Sequence, residues 1–139
     1  MPTVSSQHDL ALYKSLLLAY AGMAVIVSVQ IISLAFSRSQ KSPILPIAID
    51  LPARFVLAAV ALLAALLMVR KSFAARVPGI AFWCLLAVYG AVGAFAARTH
   101  SELRVAMYSH AFMAAVSVCA LLASKGFWFA GYRRITEDA

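Results

Sequence analysis

Val77–Ala97 reads VPGIAFWCLLAVYGAVGAFAA, Arg98–Arg104 reads RTHSELR, and Val105–Ser124 reads VAMYSHAFMAAVSVCALLAS. Two charge-free apolar runs of about 21 and 20 residues therefore flank one short connection. At 1.5 Å per residue each run, as a helix, covers a hydrocarbon core of about 30 Å. Thr99 and Glu102 stand three apart, the spacing of a capping box, so a new helix starts just after the loop. The stretch reads as two antiparallel transmembrane helices in a tight hairpin.

Two more apolar runs lie upstream. Ser15–Ser37 has about 23 residues, long enough to span and too long for the hydrophobic region of a signal peptide. Ser6, three residues before Asp9, places its helical start near Gln7, partly outside the bilayer. Phe55–Val69, about 15 residues, lies between Arg54 and Arg70 and spans only if both arginines snorkel or the bilayer thins. The expected architecture is all-α: one membrane domain over 1–139, a bundle of four helices at about 15–37, 54–70, 77–97 and 104–124. An interfacial aromatic and basic tail follows over 125–139. Residues 37–54 form the one long loop. In it Ile44–Leu51 is apolar enough to dip into the membrane interface or to lie under a partner, and Pro52 fits the first turn of helix 2.

Composition agrees with this reading. Of 139 residues, 64% are hydrophobic and 12% charged, and the mean hydropathy is +0.91. Soluble domains average about half apolar and a quarter charged. The net charge of +7 would suggest nucleic acid in a soluble protein. Here the cations cap apolar runs, where they meet lipid head groups, and nucleic-acid binding is set aside. With the N-terminus inside, Lys14, Arg70, Lys71, Arg76, Lys125, Arg133 and Arg134 lie on the inner side, against Arg38, Lys41, Arg54, Arg98 and Arg104 outside. That margin favours cytoplasmic termini, and it is thin enough to suit a dual-topology protein as well. The alanine-rich composition points to a bacterial cytoplasmic membrane.

Chemistry has few parts to work with. No Asp, Glu, Lys or Arg falls in the middle of a run, which weighs against ion-coupled transport. Gln30 lies about seven residues inside Ser37 and His110 about five inside Val105, so the two are level, and a hydrogen bond between them would satisfy both in lipid. His100 is too far from His110 to share a haem iron with it. Cys84 and Cys119 read as buried free thiols that face each other across the hairpin. No catalytic set, metal-ligand spacing or glycine-rich phosphate loop is present, so no catalytic, cofactor-binding or metal-binding residue is assigned, and an enzyme is not expected.

Packing signals are stronger. Gly90 with Ala94, and Gly93 with Ala97, give helix 3 a small-residue stripe that lets a neighbour approach closely. Gly126 suits a helix stop, and Phe127, Trp128, Phe129, Tyr132, Arg133 and Arg134 suit an interfacial anchor. The expected function is a non-enzymatic accessory or interaction subunit of a membrane complex, embedded in the lipid bilayer beside a membrane-protein partner. The alternative is a small homo-oligomeric transporter or channel, with a path near Ser28, Gln30, Ser33 and His110.

Overall fold

The computed structural model describes residues 4–36, 47–98 and 104–133. Its elements are α1 (Val4–Phe36), α2 (Ile47–Val69), a 3₁₀ turn (Phe73–Ala75), α3 (Arg76–Ala97), α4 (Arg104–Gly126) and a π-helical turn (Phe127–Gly131). The described residues contain no strand. All four helices are long and apolar enough to cross a membrane. Consecutive helices pack side by side, α1 on α2, α2 on α3, and α3 on α4 most extensively. α1 and α4 are not closely paired along their lengths.

Helix 2 departs most from expectation. It begins at Ile47 rather than near 54 and runs through Pro52. Asp50 and Arg54 therefore belong to the helix, and Ile47–Leu51 forms its first turns instead of an interfacial loop. The two charges are one helical turn apart and pair along a single face, with Arg54 Nε donating to Asp50 Oδ2 at 3.0 Å.

The α2–α3 turn closes tightly. Lys71 adopts a left-handed conformation, φ 53°. Its N–H reaches Met68 O (2.9 Å) and that of Ser72 reaches Leu67 O (2.9 Å), which satisfies two carbonyls at the end of α2. The Ser72 hydroxyl then accepts from Ala74 N.

Beside this turn lies an aromatic core. Tyr20, Phe82, Trp128 and Tyr132 are almost wholly buried, and Trp83, Phe127 and Met68 join them. The Tyr20 hydroxyl donates to Gly79 O (2.8 Å) and accepts from Trp83 Nε1 (3.0 Å). That uses both capacities of a phenol that lipid would leave unpaired. Tyr13 donates to Met68 O (2.7 Å) and Tyr132 to Ser72 O (2.5 Å). Gly79 matters here, because a Cβ in its place would lie 2.6 Å from the Trp128 ring.

The chain past Gly126, expected as an interfacial anchor, has most of its described aromatics buried within the bundle. Gly126 is itself helical, φ −64°, and stops nothing. Phe127, Trp128 and Tyr132 continue the face of buried Ser117 and Ser124 through the π turn and point inward, leaving Phe129 exposed. At its far end Gly131 lies against Asp9 of α1, where a Cβ would meet the carboxylate at 2.5 Å.

The small-residue stripe of α3 faces α4. Gly90, Gly93 and Ala97 are buried. A Cβ on Gly90 would lie 2.7 Å from His110 O and 2.9 Å from Ala114 N, so the two backbones touch. A Cβ on Gly93 would fall 2.1 Å from His110 Cδ2. Ala94, a residue further round the helix, is half-buried. The Thr99–Glu102 capping box and His100 lie outside the described residues.

Candidate functional site

The polar side chains of the bundle gather at the end opposite the aromatic core, where the α1–α2 and α3–α4 connections leave. Gln30, Arg54, Tyr89 and His110 each sit about six to eight residues inside their helix ends, roughly 9–12 Å deep. Each comes from a different helix. The antiparallel order of the helices puts these four positions at one level.

Asp50 is the centre of the arrangement and is 6% exposed. One carboxylate oxygen accepts from Arg54 Nε, and the other accepts from the Tyr89 hydroxyl at 2.5 Å. Arg54 Nη1 continues the chain to Gln30 Oε1 at 2.7 Å. A buried carboxylate is tolerable only when paired and hydrogen-bonded, and both conditions are met here. The network ties α1, α2 and α3 together.

Helix 4 joins through stacking rather than through a hydrogen bond. The His110 ring lies 5.8 Å from that of Tyr89, tilted by 40°. Its Nδ1 is 2.8 Å from Ala106 O. A carbonyl can only accept, so Nδ1 carries a proton, and in the neutral ring Nε2 holds the lone pair. The expected direct bond between Gln30 and His110 is replaced: Arg54 takes the Gln30 carbonyl and the Ala106 carbonyl takes His110.

Between these residues lies a cavity of about 210 Å³ to which all four helices contribute. Gln30, Arg54, Tyr89 and His110 form its polar rim, and Met23, Ile26, Val27, Leu57, Leu86 and Met113 its apolar wall. Gln30 and His110 thus share one cavity. Ile26 is 52% exposed and Gln30 is exposed too, so the cavity is open along the seam where α1 and α4 fail to pair.

The other polar residues once considered for a path go elsewhere. Ser28 donates to Ala24 O on its own helix (2.6 Å) and faces an apolar groove between α1 and α2. Ser33 is exposed. Ser109, Ser117 and Ser124 likewise bond carbonyls one turn back, which satisfies a hydroxyl in an apolar helix without any partner helix. Cys84 and Cys119 are free and exposed on the outside of the bundle, which corrects their reading as buried thiols.

Asp50 and Arg54 are the site residues that sequence reasoning missed. Treating Pro52 as a first-turn residue pushed Asp50 into a loop and left Arg54 as a snorkelling flank. The signal that could have found them is their own spacing, an acidic and a basic residue four apart. Among the described residues no group of three or more His, Cys, Asp or Glu is arranged to hold a metal ion. No known protein family, curated protein or solved structure matches the chain.

Proposed function

We propose that this chain is a non-enzymatic accessory subunit of a membrane complex, lying in a bacterial cytoplasmic membrane with both termini on the cytoplasmic side, and that its partner packs along α4. The observation that carries this reading is an inversion. α4 is the least hydropathic of the four helices, yet only 6% of its spanning window is buried within the chain, against 22–33% for the others. A helix facing lipid alone gains from being the most apolar member of the bundle, because lipid satisfies no polar group. The uncovered side of α4 also repeats small residues, Ala111, Ala115, Cys119 and Ala123, all exposed, the kind of surface on which another helix packs closely. Orientation rests on the excess of cations, seven against five, on the side that holds the termini and the α2–α3 turn.

The deciding experiment is the native mass of the tagged protein in mild detergent, with every co-purifying chain identified. A stoichiometric second protein, cross-linked through Cys119, supports the proposal. A chain that always runs alone, and whose Cys119 never cross-links to another protein, defeats it.

A second reading, a small homo-oligomeric transporter or channel, is favoured by the cavity beside Gln30 and His110. It requires flux in liposomes that falls in the Gln30→Ala, His110→Ala pair. Full flux in that pair removes the path.

A further inference from the structure

We propose that the four-helix cavity is a head-group site for a single-chain amphiphile that enters between α1 and α4, its head carrying both an O–H donor and an oxygen acceptor. Long-chain alcohols and un-ionised long-chain carboxylic acids share that chemistry. The inference concerns the cavity alone and holds whether or not a partner covers α4.

The rim defines the head group. Gln30 has given its carbonyl oxygen to Arg54, so what it offers the cavity is its NH₂. Arg54 has five N–H donors, and the bonds to Asp50 and Gln30 engage Nε and Nη1. Donors on the α1–α2 side therefore suit an acceptor oxygen. Across the cavity His110 has committed Nδ1–H to Ala106 O and presents the Nε2 lone pair, which suits an O–H. Gly93 keeps that nitrogen accessible, since a Cβ there would sit 2.8 Å from Nε2. An ether or ketone meets only the first half of this pattern. Charge selects further, because the Asp50 carboxylate already neutralises Arg54 and would repel an ionised head.

The remainder of the site defines the tail. A volume of about 210 Å³ far exceeds the ~10–15 Å³ that admits one water, and its deeper wall of Met23, Val27, Leu57, Leu86 and Met113 offers such waters no partners. It holds a head and the first carbons of a chain, not a whole lipid. The tail must leave through the side opening, past exposed Ile26. Met23 and Met113, which α1 and α4 contribute to that wall, are the residues best able to adapt to an alkyl chain.

The test uses the full chain in lipid nanodiscs with three radiolabelled probes: dodecanol, dodecanoic acid and dodecyl methyl ether. The expected result is saturable binding of the alcohol or the un-ionised acid at one per chain, above partition into protein-free discs, with the ether at least about tenfold weaker. Saturable binding of the alcohol identifies an alcohol as the occupant, and binding of the acid with none of the alcohol identifies the acid. Gln30→Leu and His110→Leu should each weaken binding about tenfold, while Val88→Ala, on the outer surface, leaves it unchanged. Equal binding of ether and alcohol to the unaltered protein overturns the proposal, as does partition of all probes no greater than into protein-free discs. The probe comparison decides even where a variant folds poorly.

Discussion

The Tyr89 hydroxyl of α3 is hydrogen-bonded to the buried Asp50 carboxylate of α2 at 2.5 Å, and this bond is what makes the charge at Asp50 tolerable on the side that Arg54 does not reach. Removing it leaves a carboxylate oxygen without a partner. Tyr89→Phe should therefore cost about 1–3 kcal/mol, read as a lower unfolding midpoint in detergent. Arg54→Met should cost more, about 3–5 kcal/mol, because it strands the charge itself. In the Asp50→Asn background the Arg54→Met penalty should shrink. Equal penalties in both backgrounds would dissolve the proposed network.

The α3–α4 contact predicts a graded response to a single methyl. Gly90→Ala drives a Cβ into the backbone of α4, at His110 O and Ala114 N, and neither atom can turn away. Gly93→Ala meets a side chain, the His110 ring, which can rotate. Both variants should lose stability, with a penalty of about 1–3 kcal/mol or more for overpacking, and Gly90→Ala should be the worse. Gly93→Ala should in addition shift the imidazole signals of His110 in NMR spectra. Unchanged signals would mean that the ring does not lie on Gly93.

The two tryptophans should respond differently to the same change. Trp83 Nε1 donates to Tyr20, whereas Trp128 Nε1 is buried with no partner among the described residues. Each Trp→Phe change loses ring volume, but only Trp83→Phe also loses a hydrogen bond and deprives the Tyr20 oxygen of a donor. Trp83→Phe should be the costlier by about 1 kcal/mol or more. A reversed order in thermal unfolding would show that Trp128 holds a partner.

Legibility in the sequence followed the kind of signal. The α3–α4 hairpin was readable because two runs of spanning length flank a short connection, and the level of Gln30 and His110 followed from counting along antiparallel helices. The inward packing of the tail was not legible because aromatic and basic residues look alike as an interfacial anchor and as a plug. Trp128 and Tyr132 fall four and eight residues after buried Ser124, on the inward face of the continuing helix, a spacing that composition does not show. The Asp50–Arg54 pair was obscured by Pro52, whose tolerance in the second turn of α2 no local rule predicts.

Tyr132 supplies the pH-dependent prediction. Burial, aided by the neighbouring Tyr13, raises its hydroxyl from 10.0 to about 12. A group raised on folding stabilises fully below its unfolded value and loses that contribution as pH climbs through the folded one. The tail should hold up to about pH 10 and loosen between 10 and 12 as the proton bonded to Ser72 O is lost. Tyrosinate absorbance followed alongside Trp128 fluorescence should change together in that interval. Tyr132→Phe should loosen the tail already at neutral pH and remove the alkaline step.

The inward turn of Phe127, Trp128 and Tyr132 also fixes an order of events during synthesis. α1, α2 and α3 are all synthesised before the residues that fill the space beside Tyr20, Gly79 and Phe82. Until then Tyr20 and Gly79 lack the Trp128 ring that lies against them in the finished bundle. The last described turn of the chain thus completes, in about six residues, a core whose other walls are helices made before it.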